Sequence, residues 1–407
     1  MKNILLASII LFSTLNLDAQ NCQNTSVGFP PVADLGTSYW RGFQGGLYPN
    51  GSNFKPQAHN LAGLNIAQNI LPLDTAGNVD LVNGKVVWLS VGMSNTTMET
   101  QLLIPMTDTF VQKNPKLILV DGAQGGQDIN IITDPQASFW NIIIQRLTAS
   151  GLTRKQVQVI WFKEAEIGPS DTAFASYPDS LKNKFKTALQ IEKNKFPNTK
   201  LAYLSNRIYA GYATSQLNPE PYAYYSSWSV KRLIEDQING DTGLAYTGAN
   251  PRVPWLAWGP DLWADGTMPR SDGLTWICPD DYNSDGTHPS QTGRQKVANL
   301  LFNFFTTDST AVPWFLAQNT TGFSSDASSE NAAFKTYPVP AACFFTVELP
   351  GKIFDVMITD ITGRKILEEK NIFGLLNLDA GNFIPGIYFI RLDARNGNST
   401  QKLIIQR

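Results

Sequence analysis

One stretch indicates the fold most clearly: Val86-Val87-Trp88-Leu89-Ser90-Val91, followed at once by Gly92-Met93-Ser94-Asn95. The first six residues lack the polar alternation of a half-exposed strand, which is typical of a strand that is covered on both faces. The next four supply a tight turn, and residues 95–112 continue with a helical pattern. The stretch therefore predicts a buried parallel strand that turns sharply into a helix.

The same order of strand and helix recurs along the chain. Strand-like runs at 116–120, 157–162 and 200–204 precede helical segments at 139–147, 179–196 and 222–238. A last helix follows Pro289 and places these apolar residues on one face: Val297, Leu300, Leu301 and Phe304. Repeated βα units predict an α/β fold, a parallel sheet between two layers of helices. In such sheets the reactive groups collect at the carboxyl ends of the strands.

The first of these strand ends carries a candidate nucleophile, Ser94. A serine between a strand and a helix projects its hydroxyl above the sheet edge, and its backbone N–H at the helix start favours a developing oxyanion. Serine and asparagine are also ordinary helix caps, so the turn alone leaves a purely structural role open.

The loop before the last helix, Asp285-Gly286-Thr287-His288-Pro289, supplies a candidate base. A hydroxyl needs a base to take its proton, and a histidine needs a carboxylate to fix its tautomer. His288 is one of two histidines; His59, in a segment rich in Gly, Asn and Pro, is interpreted as structural. The same loop opens like a calcium-binding loop, but its twelfth position is Thr292 where a bidentate Glu is required.

Ser94, Asp285 and His288, in that chain order, resemble the SGNH hydrolases. Two further blocks are similar to the carbohydrate acetylesterase branch of that family, which includes sialate O-acetylesterases and acetylxylan esterases: Asp121-Gly122-Ala123-Gln124-Gly125-Gly126-Gln127 and Trp161-Phe162-Lys163-Glu164-Ala165-Glu166. The resemblance implies a flavodoxin-like α/β/α sandwich with a Ser94 nucleophile, a His288 base and an Asp285 that orients it. No metal or organic cofactor is implied.

The resemblance also implies an oxyanion hole formed by Ser94, Gly125, Gly126 and Lys163. Lys163 departs from the family, which usually has Asn or Gln at this position, and Met93 stands where the branch usually has Gln. A lysine can donate to an oxyanion, but Lys163 can equally pair with Glu164 or Glu166. The second interpretation leaves a catalytically silent, polysaccharide-binding protein as the alternative function.

Candidate substrate-binding residues lie near these loops. We assign them as Asn95, Arg207, Trp258 and Trp263, because exposed aromatic rings stack on sugars and arginine binds hydroxyls or carboxylates. Tryptophans of this kind are more often buried in a core, and Arg207 can instead pair with a carboxylate. The predicted substrate is an acylated carbohydrate.

Composition narrows the classes of partner. The chain has 32 Lys and Arg against 34 Asp and Glu, a net charge of −2 that is unlike the basic surface of a nucleic-acid binder. Three scattered cysteines do not fit a zinc site or a disulfide framework. Cys22 and Cys278 can bridge in an oxidising compartment, although spacing alone does not establish contact.

The two ends of the chain predict export. Residues 1–19 have a lysine, a short apolar run and a small-residue cleavage position, as in a secretory signal peptide, and no later run is long enough to span a membrane. We predict a hydrolase domain at 20–315, a polar linker at 316–336 and a small β-sandwich at 337–407.

The C-terminal region, with its Asp360-Ile361-Thr362-Gly363-Arg364 turn and its Gly386-Ile387-Tyr388-Phe389-Ile390-Arg391-Leu392 strand, resembles the sorting domain of type IX secretion cargo. Ala341-Ala342-Cys343 departs from that pattern. The resemblance implies the type IX secretion machinery as a partner and a secreted or cell-surface location. The alternative is a carbohydrate-binding or adhesion sandwich.

Overall fold

The computed structural model describes residues 20–317, 334–337, 339, 341, 344–349, 354–394 and 397–406. By their contacts, these residues form two compact units, one up to Ala317 and one from Phe334 onwards. The predicted signal peptide and most of the predicted linker lie outside the described residues.

The first unit contains seven strands and nine helices within its described residues. Its strands are β1 (Tyr39–Trp40), β2 (Phe43–Gln44), β3 (Val86–Gly92), β4 (Leu117–Asp121), β5 (Val157–Lys163), β6 (Leu201–Leu204) and β7 (Trp255–Trp258). Its helices are α1 (Val32–Leu35), α2 (Gln57–Gln68), α3 (Ser94–Asp108), α4 (Ile129–Ile132), α5 (Ser138–Ala149), α6 (Tyr177–Lys195), α7 (Tyr222–Ile238), α8 (Gln291–Thr307) and α9 (Val312–Phe315). Short 3₁₀ turns occur at Pro49–Gly51, Arg154–Gln156 and Thr242–Leu244.

A five-stranded parallel sheet is the centre of this unit. Its strand order is β4-β3-β5-β6-β7, and β3 pairs in parallel with both β4 and β5, so that Leu89 lies opposite Val120 and Ile160. Every residue of β3, β5, β6 and β7 is buried. From β3 the chain adds β4 on one side of the sheet and then β5, β6 and β7 on the other side. Ligands bind at such a switch point in open α/β sheets.

The predicted α/β fold with a parallel sheet is confirmed, and its elements follow the predicted pattern closely. Helix α3 begins at Ser94, one residue earlier than predicted, and α8 buries Val297 and Leu301 against the core as its apolar face requires. Strand β7 was not predicted. Its sequence, Trp-Leu-Ala-Trp, is short and rich in tryptophan, and the sequence pattern assigns two tryptophans of this region, Trp258 and Trp263, to substrate contacts.

The second unit is a small β-sandwich, also as predicted. Its strands are β8 (Lys335–Tyr337), β9 (Phe344–Glu348), β10 (Phe354–Asp360), β11 (Lys365–Ile372), β12 (Leu375–Asp379), β13 (Gly386–Ala394) and β14 (Gly397–Ile405), with a 3₁₀ turn at Ala380–Asn382. They form two antiparallel sheets, β11-β10-β13-β14 and β12-β9-β8. A separate core that includes Phe345, Val356 and Ile390 lies within this unit.

Candidate active site

Ser94 lies at the carboxyl end of β3, where the strand turns into α3. Gly92 makes this turn possible, because a Cβ atom there would lie 2.3 Å from the carbonyl oxygen of Lys163 and 2.3 Å from Thr96 Oγ1. Only glycine fits so close an approach. Ser94 is the first residue of α3 and is partly exposed, so its hydroxyl remains accessible at the sheet edge.

The structure brings Ser94, His288 and Asp285 together in one hydrogen-bonded chain. Ser94 Oγ lies 2.8 Å from His288 Nε2, and His288 Nδ1 lies 2.5 Å from Asp285 Oδ2. A carboxylate can only accept, so Nδ1 carries the proton and Nε2 is the acceptor for the serine hydroxyl. This tautomer allows the imidazole to take a proton from Ser94.

Asp285 is held in the ionised form that this tautomer needs. Partial burial raises the pKa of its carboxyl group, but the His288 ring and the backbone N–H groups of His288 and Thr287 donate to it, and the net effect is a lowered pKa. The two backbone bonds to Asp285 Oδ1 measure 2.9 Å from His288 and 3.0 Å from Thr287. The carboxylate therefore stays charged at neutral pH.

The glycine loop after β4 lies beside Ser94. A Cβ atom on Gly125 would lie 3.8 Å from Ser94 Cβ, and both Gly125 and Gly126 are exposed. Among the described residues, the backbone N–H groups of Ser94, Gly125 and Gly126 donate no hydrogen bond to the protein. Thr97 of α3 holds this loop in place, because its hydroxyl contacts both Asp121 Oδ2 and the Ala123 carbonyl.

Asn95 is not placed for substrate binding, contrary to the prediction. Its side chain is buried, and its Nδ2 donates to the Thr287 carbonyl at 3.1 Å. The amide therefore ties the first turn of α3 to the loop that carries His288.

Lys163 is also wrongly assigned to the oxyanion hole. Its side chain has no exposed area, and its ammonium group donates to both carboxylate oxygens of Glu99 at 2.5 Å. Glu99 lies on α3 and is itself fully buried. The partner is therefore neither Glu164 nor Glu166, and the ammonium group is not available at the surface where Ser94 is exposed.

Burial shifts both members of this ion pair towards their neutral forms. It raises the pKa of Glu99, and it lowers the pKa of Lys163 to about 8, while the attraction between the two groups opposes both shifts.

Trp258 and Trp263 belong to the core, which corrects their assignment to substrate. Their exposed fractions are 2% and 1%, and their indole N–H groups donate to the Leu47 carbonyl and to Glu220 Oε1. Large aromatic side chains that find an internal acceptor are more stable inside than in water.

Arg207 is buried and yet has no close partner. Its exposed fraction is 4%, and within the described residues its guanidinium makes no hydrogen bond and no ion pair within 4 Å. Burial lowers its pKa, and the carboxylates of Glu99, Glu164 and Glu220 oppose this shift from a greater distance. A buried cation without a direct partner is costly, so Arg207 stands apart from the other arginines of the core.

His59 has a structural environment. Its Nε2 lies 2.8 Å from the Leu256 carbonyl and its ring stacks on Trp255, with burial lowering its pKa.

Glu99 is the main residue of the site that the sequence analysis did not identify. A glutamate five residues after Ser94 lies well inside α3, and the helix has too few apolar residues to reveal its buried face. Lys163 lies at the end of the buried strand β5, and a charged residue at that position was the other indication of a buried ion pair.

Comparison with known proteins supports the assignment of the C-terminal region. Residues 335–406 match the family model of the secretion system C-terminal sorting domain, which confirms the predicted sorting domain. No curated protein gives a significant match to the sequence.

Three solved structures illustrate what the chain is similar to. PorZ, a surface component of the type IX secretion system of Porphyromonas gingivalis, aligns over 20% of this chain and 13% of its own, at 19% identity and a TM-score of 0.18. An acetyl esterase solved with an acetate ion aligns over 53% and 94%, at 13% identity and a TM-score of 0.33. A carbohydrate esterase family 3 protein from Talaromyces cellulolyticus aligns over 53% and 94%, at 14% identity and a TM-score of 0.30.

The described residues lack two features that would point to other functions. None of their helices is long and apolar enough to cross a membrane. They also contain no group of three or more His, Cys, Asp or Glu side chains arranged to hold a metal ion.

The Lys163–Glu99 pair gives the first testable prediction. Lys163→Met leaves the Glu99 carboxylate buried without its partner, so we expect the free energy of unfolding to fall by about 3–5 kcal/mol. Adding Glu99→Leu removes the stranded charge and should restore most of the loss. Urea unfolding of the wild type, the single variant and the double variant measures both effects. A Lys163→Met protein of unchanged stability with a much lower kcat would return Lys163 to the oxyanion hole.

Proposed function

We propose that this chain is a secreted serine esterase that removes acyl groups, acetyl foremost, from carbohydrate. The observation that carries the proposal is the hydrogen-bonded chain from Ser94 through His288 to Asp285 at the carboxyl edge of a parallel sheet. An accessible hydroxyl that is bonded to a correctly oriented imidazole is the arrangement that nucleophilic catalysis requires.

In the proposed first half-reaction, Ser94 Oγ attacks the ester carbonyl carbon while His288 Nε2 takes the hydroxyl proton. The charged Asp285 stabilises the resulting imidazolium. The tetrahedral intermediate collapses when His288 returns the proton to the sugar oxygen, which leaves as an alcohol. An acyl group remains on Ser94.

In the second half-reaction, a water molecule takes the place of the sugar. His288 removes a proton from the water as it attacks the acyl carbon, and then gives that proton to Ser94 Oγ. The carboxylic acid is released and the hydroxyl of Ser94 is restored.

Backbone N–H groups are the proposed oxyanion donors. The backbone N–H groups of Ser94, Gly125 and Gly126 donate to no protein acceptor among the described residues, a Cβ atom on Gly125 would lie 3.8 Å from Ser94 Cβ, and the Ser94 N–H is at the start of α3. Donors fixed before the reaction stabilise the charge that develops on the carbonyl oxygen. With Lys163 paired to Glu99, the proposed hole contains no side-chain cation.

The proposed substrate and location rest on different parts of the chain. A carbohydrate ester is proposed from the resemblance of the Ser94, Gly125 and Trp161 sequence blocks to the acetylesterase branch. Export is proposed from the signal-like segment at 1–19 and from the sorting domain, which would engage the type IX machinery. The proposed hydrolase domain spans 20–315.

A serine-directed fluorophosphonate probe tests the proposed function. We expect the wild type to be labelled and to hydrolyse 4-nitrophenyl acetate and acetylated glycans, while Ser94→Ala does neither. His288→Ala should lose about as much activity as Ser94→Ala, because the two side chains act as a unit. Asp285→Asn should lower kcat by about 10⁴-fold with a smaller change in KM, since it favours the wrong tautomer.

Two outcomes would contradict this proposal. A folded wild type that neither reacts with the probe nor cleaves any ester would favour the silent polysaccharide-binding protein. Near-normal turnover in His288→Ala, with activity abolished in His59→Ala, would show that the wrong loop has been identified.

The pH dependence of the reaction follows from the roles of the two side chains. A histidine base works only when its imidazole is neutral, and an unperturbed histidine titrates near ~6.5. The lowered pKa of Asp285 keeps that carboxylate ionised across the same range. We therefore expect kcat/KM to fall with decreasing pH along a limb that corresponds to one proton, measured with 4-nitrophenyl acetate. A rate that is flat through this range would contradict histidine as the base.

Arg207 is the proposed contact for the sugar. Arg207→Met removes a buried charge that has no close partner, so we expect the free energy of unfolding to stay the same or rise. Cleavage of acetylated glycans should weaken, whereas cleavage of 4-nitrophenyl acetate, which has no sugar, should be retained.

Arg232 offers a matched control for this substitution. It is also buried, but it pairs with Asp179 at 3.0 Å and lies over the Phe43 ring. Arg232→Met should lower stability and leave the preference between the two esters unchanged. A large loss of stability in Arg207→Met would identify Arg207 as a structural residue instead.

A further inference from the structure

The first described segment of the chain lies against the loop that carries two residues of the site. We call residues 20–28 the N-terminal strap and residues 278–289 the catalytic loop. The Gln20 N–H donates to the Ser284 carbonyl at 2.7 Å, and Ser284 immediately precedes Asp285. Cys22 forms a disulfide with Cys278, with Cα atoms 5.2 Å apart. The strap is therefore bound to the catalytic loop at its start and just before Asp285.

The strap also supports the catalytic loop through Tyr212. The Asn21 N–H donates to the Tyr212 carbonyl at 2.9 Å. The same carbonyl packs against Gly286, where a Cβ atom would lie only 2.0 Å from its oxygen, and Gly286 has a positive φ of 65°. Gly286 follows Asp285, so a shift of Tyr212 would reach the carboxylate through one residue.

Side-chain contacts hold the strap to the Tyr212 segment. Asn24 Nδ2 donates to the Gly211 carbonyl at 2.7 Å, and the Tyr209 hydroxyl donates to the Asn24 carbonyl at 2.7 Å. Three hydrogen bonds therefore join the strap to residues 209–212.

The far end of the strap is anchored separately. The Ser26 hydroxyl and the backbone N–H groups of Val27 and Gly28 donate to the Asp265 carboxylate at 2.5, 2.8 and 3.1 Å. Asp265 is buried, which makes this anchor firm. The strap is therefore fixed at both ends and does not simply follow the catalytic loop.

The catalytic loop needs such external support. It contains no helix or strand, and the side chains of Asp285 and His288 retain 38% and 20% exposure. Its bonds to Asp285 are internal, whereas its alignment on Ser94 depends on neighbours such as Asn95. Small displacements of a reacting pair are costly, since 1 Å can cost about 10²-fold in rate.

We propose that the N-terminal strap, closed by the Cys22–Cys278 disulfide, is a positioning element that holds Asp285 and His288 in register with Ser94. Its kinetic consequences rest on the proposed esterase function. Its structural consequence, a catalytic loop that opens more readily once the strap is released, does not.

Cys22→Ser and Cys278→Ser, singly and together, test the proposal. We expect kcat for 4-nitrophenyl acetate to fall about tenfold to 10²-fold with KM unchanged, and amide hydrogen exchange at residues 281–288 to accelerate. Dithiothreitol, which exchanges its two thiols for the disulfide, should reproduce these effects in the wild type and add nothing to the double variant. Cys343→Ser should behave like the wild type.

Asn24→Ala tests the same element without touching the disulfide. It removes the bond to Gly211, so we expect a smaller fall in kcat and a smaller rise in exchange at 281–288. This variant keeps the proposal testable if either cysteine variant fails to fold.

Leu147→Ala controls for loss of stability alone. Leu147 is fully buried on α5, outside both the strap and the catalytic loop, and its truncation should cost about 2–5 kcal/mol. We expect it to keep the wild-type kcat and the wild-type exchange at 281–288. Cysteine variants that behave in the same way would overturn the proposal.

The exchange measurement separates the two hypotheses. If no ester is cleaved by the wild type, the proposed function fails, and exchange at 281–288 still decides whether the strap holds the loop. If esters are cleaved but the strap variants change neither kcat nor exchange, the positioning role fails alone.

Discussion

The close contact between helix α3 and the end of β5 determines where the candidate nucleophile lies. Three interactions converge on Lys163: Gly92 packs against its carbonyl oxygen, Thr96 Oγ1 donates to that same oxygen at 2.9 Å, and Glu99 accepts from its ammonium group. Together, this packing contact, this hydrogen bond and this ion pair hold the first turns of α3 in place against the sheet. Ser94 itself is partly exposed and makes few contacts of its own. Its position is therefore determined by the buried contacts of Gly92, Thr96 and Glu99 with Lys163. Lys163, which we expected to stabilise an oxyanion, instead anchors helix α3 to the sheet.

The catalytic loop is held in a different way. Asp285 and His288 lie on irregular backbone, where the spacing of Asp and His sets their mutual geometry but not their distance from Ser94. That distance depends on contacts from outside the loop. They include the Asn95 amide, the Tyr212 carbonyl, the N-terminal strap, the Tyr209 carbonyl that accepts from the Tyr282 hydroxyl, and the Lys296 ammonium group that pairs with Asp281. The site thus combines a candidate nucleophile on a rigid helix start with a candidate base on a supported loop. In such an arrangement the loop is the more easily disturbed half, since it contains no helix or strand of its own.

What the sequence could predict follows from how local each signal is. The buried β3 run, the turn at Ser94 and the spacing of Asp285 and His288 are each contiguous, and the rule that reactive groups gather at the carboxyl edge of a parallel sheet brings them together. Partners distant in sequence were not predictable in this way. Glu164 and Glu166 were natural candidates for Lys163 by proximity in the chain, yet Lys163 pairs with Glu99, which lies 64 positions earlier on α3. The burial of Trp258 was not predictable either, because it lies on strand β7, which the sequence pattern did not reveal.

The Cys22–Cys278 disulfide bears on two properties of the first unit, its stability and the placement of the candidate site. It joins residues 256 positions apart, and in the chain-entropy model closing so long a loop in the unfolded state contributes roughly 5 kcal/mol of stability. Disulfides persist in oxidising compartments and are rare in the cytosol, which agrees with the sorting domain at 335–406. A disulfide between any two segments this far apart in the sequence would supply this stability, wherever on the surface it lay. Here the bond joins the strap to the start of the catalytic loop, so the same constraint that disfavours the unfolded chain also limits where Asp285 and His288 can move.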